Sequence, residues 1–462
     1  MRIVLINPTM GSYYEGAAVR AAITLSPPLN LAVLAGGLLA DGHTVEIWDL
    51  ESSPIDIAGA LRTFQPDLVG ITFRTPLFPQ AAKLAELAKQ HCPNALVVAG
   101  GVHASTRPQE TLTRAPFDLV VQGEGDEVIR AIARGATRGP GISSREEMGS
   151  PSPVIQNIDD LPMPAWELFD LNRYRQKSLV ARTTPVADLE SSRGCLAQCI
   201  YCTKGVFGSE YRMKSPRRFV DEIEHAQAAG FNAFNLVDDS FTTRTSRAHA
   251  ICEEILSRNI QMPWTCTNGL RVGNVDEEFF RLAKRAGCWL VAFGFESGSD
   301  EVLKRIRKGA TVRQAERAVR WARKHGFVIL GYFMVGLPGE TRQTISETAS
   351  FAASLDIDFA KFSITMPLPG TPLYDSWEPH IRDQQAYDFS IHRSGQRFYD
   401  HPDFSWSELE HYTRSAYRTF YGRPRYVARR LVRSLRHGEF RRESQYALSL
   451  ALPDAMDRFA RR

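Results

Sequence analysis

The sequence predicts an α/β chain in three parts: an N-terminal Rossmann-like, doubly wound parallel sheet, a partial (β/α)6 barrel, and a helical C-terminal cap. Three observations carry this. Short apolar runs alternate with helically spaced segments over residues 1–134. A stretch rich in Gly, Ser and Pro, from Gly135-Ala136-Thr137-Arg138-Gly139-Pro140 to about residue 160, interrupts the pattern. The alternation then resumes near Ala187 and continues for about six units. Alternating strand and helix patterns argue for parallel sheets with helices packed on their faces. The boundaries follow as 1–134 for the first sheet domain, 135–184 for a linker, 185–404 for the barrel and 405–462 for the cap.

In the first domain Ile3–Asn7, Thr44–Asp49, Leu68–Thr72, Ala95–Gly100 and Leu119–Gln122 read as buried strands. Leu29–Leu39, Pro79–Gln90 and Glu127–Arg134 carry helical spacing between them. Open sheets of this kind bind ligands at the carboxyl ends of their strands. The loops of interest are therefore Ser26-Pro27-Pro28-Leu29, Thr72-Phe73-Arg74-Thr75, Gly100-Gly101-Val102-His103 and Gly123-Glu124-Gly125. In the second series a strand near Ala187–Glu190 is followed by Ala233–Val237, Trp264–Asn268, Leu290–Glu296, Val328–Val335 and Lys361–Met366. Six units fall short of the eight in a closed (β/α) barrel, so the expected barrel is partial.

Bulk properties narrow the class. Hydrophobic residues make up 43% and charged residues 23% of 462 residues, as in ordinary globular domains. The net charge of +4 is mild and gives no argument for nucleic acid as a partner. No run approaches the roughly 18–20 apolar residues of a membrane span. Met1-Arg2-Ile3-Val4-Leu5-Ile6-Asn7-Pro8 reads as a first strand and not as a signal peptide. Seven cysteines, an odd number with three inside eight residues, do not form a secreted disulfide framework, and the expected location is the cytoplasm.

The strongest motif is Ser192-Arg193-Gly194-Cys195-Leu196-Ala197-Gln198-Cys199-Ile200-Tyr201-Cys202. Its Cys-x3-Cys-x2-Cys spacing puts three thiolates on one tight loop after a strand, where they can hold three corners of an iron–sulfur cubane and leave the fourth iron open. A structural zinc site would want a fourth Cys or His nearby, and the next histidine is His225. Cys92, Cys252, Cys266 and Cys288 lie in or beside apolar elements and read as inert core thiols.

This loop resembles that of the radical-SAM superfamily, and the resemblance extends over about residues 185–400. It implies that Cys195, Cys199 and Cys202 hold a [4Fe–4S] cluster and that Tyr201 lies near the adenine of S-adenosylmethionine. Gly294-Phe295-Glu296-Ser297-Gly298-Ser299 resembles the strand-four motif, which places Glu296 and Ser297 near the ribose and the methionine carboxylate. Gly331–Thr341, with Gly336 in Gly336-Leu337-Pro338-Gly339-Glu340, resembles the strand-five motif, and Pro367–Tyr374 the turn that follows. The family's Gly-Gly-Glu, which meets the methionine amine, is replaced by Val237-Asp238-Asp239, and either Asp238 or Asp239 can take that role.

Residues 1–140 resemble, more loosely, the cobalamin-binding domain fused to one large radical-SAM branch. The residues carrying this are Ser26-Pro27-Pro28, Asp41-Gly42-His43, Gly100-Gly101-Val102-His103 and Gly123-Glu124-Gly125-Asp126-Glu127. The resemblance implies that Pro27, Arg74, Gly100, Gly101, His103, Gly123 and Glu124 line a corrin site. Asp41-x-His43 does not make a cobalt-ligand motif, because Glu46 stands where that motif needs glycine and the pair sits at the turn into strand two. Arg74 is the residue expected beneath the cobalt, so no histidine ligand is expected. His103 either reaches the corrin or is a satisfied loop histidine.

The C-terminal cap carries an Arg-rich run from Arg414 to Arg442, interleaved with Tyr417, Phe420, Tyr421, Tyr426 and Leu431. Such a run forms a solvated face paired with the barrel or lies on an anionic membrane surface. Taken together, the resemblance implies an enzyme that cleaves S-adenosylmethionine reductively to a 5′-deoxyadenosyl radical and C-methylates a small molecule through methylcobalamin. It also implies an electron donor such as flavodoxin or ferredoxin. Oxidative cyclisation or rearrangement without methyl transfer is the alternative enzyme reading, and a cobalamin-binding sensor the non-enzymatic one. A methylthiotransferase would need a second cysteine trio in the first domain, where only Cys92 occurs. No residue is singled out as catalytic.

Overall fold

A computed structural model describes residues 1–9, 24–382 and 398–436. The expected three-part α/β architecture is what it shows. The first sheet contains β1 (Arg2–Asn7), β2 (Thr44–Asp49), β3 (Leu68–Thr72), β4 (Leu96–Gly100), β5 (Leu119–Val121) and β6 (Ile142–Ser143), in the order β2-β1-β3-β4-β5-β6. The first five strands are parallel, and β6 joins antiparallel to β5. Helices cover both faces: Leu29–Ala40 and Asp126–Ala133 pack on one, Ile57–Phe64 and Phe78–His91 on the other. Strand order reverses between β1 and β3, and a crevice opens at such a point along the carboxyl edge.

The segment expected as a linker is packed. Besides supplying β6, it buries Trp166 and Tyr174 almost completely, and the Tyr174 hydroxyl donates to Asp49 Oδ2 at 2.6 Å. Gly139 and Gly141 take positive φ at the turn into β6, so absence of periodicity here marks irregular packed structure.

The second sheet holds β7 (Val186–Leu189), then, after the short hairpin β8 (Ser192–Arg193) and β9 (Arg212–Met213), β10 (Ala233–Leu236), β11 (Trp264–Leu270), β12 (Cys288–Glu296), β13 (Val328–Val335) and β14 (Phe359–Ile364). Its six strands run parallel in simple sequential order from β7 to β14. This is the partial barrel. Side chains alternate along each strand. Ala187, Leu189, Phe234, Leu236, Val291, Phe293, Ile329, Phe333, Ala360 and Phe362 belong to the large core beneath the outer helices. The intervening residues face the barrel interior. Leu179 and Val180 pack on Leu290, Val328 and Phe359, and Ala181 packs on Val186 and Ala233, closing the amino-terminal end.

The cap helices Trp406–Tyr421 and Pro424–Arg436 lie along β14, whose outer edge would otherwise expose unpaired backbone groups. Tyr417 OH accepts from Phe362 N at 3.1 Å, and Tyr421 OH accepts from Ala360 N at 3.1 Å. Both hydroxyls also donate to the carbonyls of those residues. Arg430 pairs with buried Asp358 at 3.1 Å, and Arg429 with Asp356. Val427, Leu431, Val432 and Leu435 are exposed on the last helix. Arg441 and Arg442 lie outside the described residues.

Candidate active site between the two sheets

The loop Gly194–Glu210 rises from the β8–β9 hairpin, and the hairpin fixes its base. Arg193 and Arg212 stand opposite each other in that pairing. Arg193 donates to Glu124 Oε2 at 3.0 Å, to Asp126 Oδ2 at 2.9 Å and to Glu190 Oε1 at 2.7 Å, and Arg212 pairs with Glu124 as well. All of these groups are nearly removed from solvent. Arg193 is held protonated by Glu190 and Asp126 against the cost of its own burial. Glu124 and Asp126 belong to the turn after β5, so the carboxyl edge of the first sheet grips the base of the cysteine loop.

Further contacts join the same two edges. A Cβ on Gly205 would come within 2.6 Å, and one on Gly370 within 2.4 Å, of Thr106 Cγ2. These glycines let the cysteine loop and the turn after β14 approach the first domain closely. The Arg107 guanidinium lies 4.6 Å from the Tyr374 ring centroid. The two carboxyl edges therefore face each other.

Cys195, Cys199 and Cys202 are free thiols. Burial, the Cys199 thiol, Asp239 and the Cys195 thiol push Cys202 up to about 11, so the three sulfurs lie within electrostatic reach of one another. Among the described residues no three His, Cys, Asp or Glu side chains gather as tightly as a single metal ion needs. The donor set is three thiols on one loop, which suits a cubane with one open iron. Cys92, Cys252, Cys266 and Cys288 are buried, as the sequence predicts for core thiols.

Beside the loop, Glu296 Oε1 accepts from Lys308 Nζ at 2.7 Å, and Lys308 Nζ lies 3.4 Å from Tyr201 OH. Glu296 adopts a left-handed backbone, φ +65°, at the end of β12. Arg271 Nη1 lies 3.9 Å from Cys199 Sγ, and Arg271 also donates to the Lys308 carbonyl at 2.5 Å. Sequence reading missed Lys308 and Arg271. Arg271 is a lone basic residue just past a strand end, and Lys308 is the last of the basic run Lys304, Arg305, Arg307, Lys308, which reads as a solvated helix end.

The two aspartates part company. Asp238 is buried and accepts from Ser191 N and Ser191 Oγ at 2.6 Å each, and from Ser192 Oγ at 2.5 Å. Its oxygens are committed to the strand that leads into β8. Asp239 instead has its carboxylate near the Gly194 backbone N–H of the cysteine loop, and burial with nearby Glu190 and Asp238 raises it to about 6.

Family models match this sequence in two places: the B12 binding domain over residues 17–133 and the radical SAM superfamily over residues 189–352. An uncharacterized methyltransferase of Pyrococcus horikoshii is 33% identical over 92% of this chain and 93% of its own length. The chain belongs to the radical-SAM family that carries a B12-binding domain. The anaerobic magnesium-protoporphyrin IX monomethyl ester cyclase of Cereibacter sphaeroides is 30% identical over 84% of this chain and 65% of its own. The radical S-adenosylmethionine methyltransferase TsrM from Kitasatospora setae, solved with cobalamin and a [4Fe–4S] cluster, shares the fold. It aligns with a TM-score of 0.66 at 22% identity, over 82% of this chain and 74% of that one. Membership makes the [4Fe–4S] cluster, S-adenosylmethionine and cobalamin the cofactors of this protein.

Arg74 is exposed at the carboxyl edge after β3, and a Cβ on Gly100 would meet nothing within 4 Å, which leaves an open cradle there. Gly101, φ +93°, must be glycine, because a Cβ would lie 2.7 Å from the Phe73 carbonyl oxygen. Gly123, φ +86°, donates its N–H to Ser105 Oγ at 3.0 Å. Pro27 is buried at the start of the helix that follows.

Four of the residues expected at the cofactors make contacts within the protein. His103 is fully buried between Phe73 and Phe78, with ring centroids 5.7 and 4.9 Å away, and burial drops its pKa to about 3. It is a neutral core residue. Glu124 serves the ion-pair cluster described above. The Ser297 hydroxyl lies 3.1 Å from Thr348 Oγ1 and accepts from Ser299 N at 3.2 Å, pinning the turn to the helix Arg342–Ser354. Gly336, φ +80°, donates to Glu340 Oε2 at 2.7 Å and presents its carbonyl to His401 Nε2 at 2.8 Å. His43 lies at the amino edge, before β2, with Nδ1 3.3 Å from the Met1 amine, far from any cobalt site on the carboxyl edge.

Proposed function

We propose that this protein C-methylates a small-molecule substrate held inside the partial barrel, between a corrin on the first sheet and the cysteine loop on the second. The observation that carries this reading is the facing pair of carboxyl edges, joined through Arg193, Glu124 and Asp126. Bound there, the cluster, S-adenosylmethionine and cobalamin supply reductive sulfonium cleavage and a transferable methyl group.

The protein's own residues position and shield. Cys195, Cys199 and Cys202 hold the cluster. Asp239, with its carboxylate beside the loop, accepts from the methionine ammonium, while Asp238 holds the strand. Lys308, paired with Glu296, offers its ammonium to the methionine carboxylate, and Glu296 accepts from the ribose. Tyr201 walls the adenine side. Arg271, near Cys199 Sγ, stabilises thiolate charge. On the first sheet Arg74, Gly100 and Gly101 would hold the corrin, the glycines letting the backbone come close to it. The close fit of the two edges excludes water from the space between them.

Electrons come from a donor such as flavodoxin or ferredoxin in the cytoplasm. Exposed Val427, Leu431, Val432 and Leu435 among arginines give the cap a face suited to an anionic membrane surface. No described helix is long and apolar enough to cross a membrane. A second reading, oxidative cyclisation, is favoured by the cyclase relatives. Methyl-deuterated S-adenosylmethionine separates the two: deuterium on a product carbon supports methylation, and a product without it supports cyclisation.

A further inference from the structure

The barrel interior carries a polar layer that none of the cofactors uses. Asp188 on β7 lies between Ala187 and Leu189, which face the outer core, so its side chain faces inward. The same alternation turns Asn235, Thr265, Thr267, Tyr332 and Lys361 inward. Asn235 donates to Asp188 Oδ1 at 2.9 Å, and its own oxygen accepts from Thr265 Oγ1 at 3.0 Å and Thr267 Oγ1 at 2.8 Å. Tyr332 OH donates to the Thr267 carbonyl at 2.8 Å. This series of bonds fixes one Asp188 oxygen and leaves the other facing the interior.

Lys361 stands in register with Tyr332 and makes no ion pair among the described residues. Asp188 and Lys361 occupy the two edge strands of the six-stranded sheet, on opposite sides of the barrel. Both side chains are partly buried, and a charge so placed is costly unless a neighbour or a ligand offsets it; the Arg74 charge acts on Asp188, whereas only desolvation acts on Lys361. Burial shifts both groups toward neutrality, raising Asp188 to about 6 and lowering Lys361. Beneath them the floor is apolar.

We infer that this layer is the substrate-recognition site, and that the substrate carries an anionic oxygen group, carboxylate or phosphate, for Lys361 and an amine or hydroxyl donor for Asp188. The inference rests on the reading that places substrate inside the barrel. A small dipolar molecule would answer both groups, whereas a wholly apolar one would leave Lys361 without a counter-charge.

The test uses the anaerobically reconstituted holoenzyme and three probes on one scaffold: 4-(aminomethyl)benzoate, benzoate and benzylamine. By calorimetry the dipolar probe binds at least about tenfold more tightly than either fragment. Lys361→Gln removes its advantage over benzylamine, Lys361→Arg keeps it, and Asp188→Asn removes its advantage over benzoate. Retained iron–sulfur and cobalamin absorbance certifies each variant. Should Lys361→Gln lose that absorbance, Lys361→Arg and Asp188→Asn carry the comparison. Equal binding of the three probes, no binding of any, or unchanged preferences in the variants overturns the inference. Formation of 5′-deoxyadenosine by the wild type is scored separately, so failure of the site is distinguished from failure of the radical-SAM reading.

Discussion

The Arg193 guanidinium donates to Glu124 at 3.0 Å across the boundary between the two sheets, two residues before the first cluster cysteine. Asp126 and Glu190 complete the cage. Arg193→Met would leave Asp126 and Glu190 without their cation, with Glu124 still paired to Arg212, at a cost of roughly 3 kcal/mol. Urea denaturation reads the loss, and iron content after reconstitution falls with it. Arg193→Lys restores part of both. A stability change within about 0.5 kcal/mol, the range of ordinary surface substitutions, would show that the cage does not hold the two edges together.

Replacing Cys195, Cys199 or Cys202 singly by alanine should abolish 5′-deoxyadenosine formation and cluster absorbance. Cobalamin binding should persist, because the corrin cradle at Gly100 and Gly101 belongs to the other sheet. Loss of cobalamin binding in the same variants would mean that the sites are not separate.

No described histidine stands at the corrin edge: His43 is on the amino side of the sheet and His103 is sealed in the core. The Co(II) form should give an EPR spectrum without nitrogen hyperfine splitting from a protein imidazole. Such splitting would contradict the placement of Arg74.

Glu340 accepts from the Gly336 and Leu337 N–H groups through Oε2, and burial raises its pKa to about 7. A carboxyl whose folded pKa is raised binds its proton more tightly when folded. Its contribution is complete below its ordinary value near 4.5 and is lost as pH rises through about 7. The wild type should therefore lose on the order of 2 kcal/mol relative to Glu340→Gln between pH 4.5 and 7. Parallel stability curves for the two proteins would refute this.

The strands were legible because buried parallel strands read as unbroken apolar runs. Val328–Val335 has the predicted ends, whereas the last strand begins at Phe359, two residues early, because Asp358 anchors its start by accepting from Ile329 N. The two-residue strands β6, β8 and β9 are too short to leave a periodic signal. The cysteine trio was legible from spacing alone. The role of Glu124 was not, because its partner lies 69 residues away and nothing local reports the pairing. The choice between Asp238 and Asp239 likewise depends on Ser191 and Ser192, which reach Asp238 only after β7 and β10 pair.

The most direct measurement follows the label from methyl-deuterated S-adenosylmethionine in the reduced, reconstituted enzyme supplied with its substrate. The account predicts 5′-deoxyadenosine together with a product carrying the deuterated methyl group on carbon. Absence of 5′-deoxyadenosine, or a product formed without the label, would contradict it.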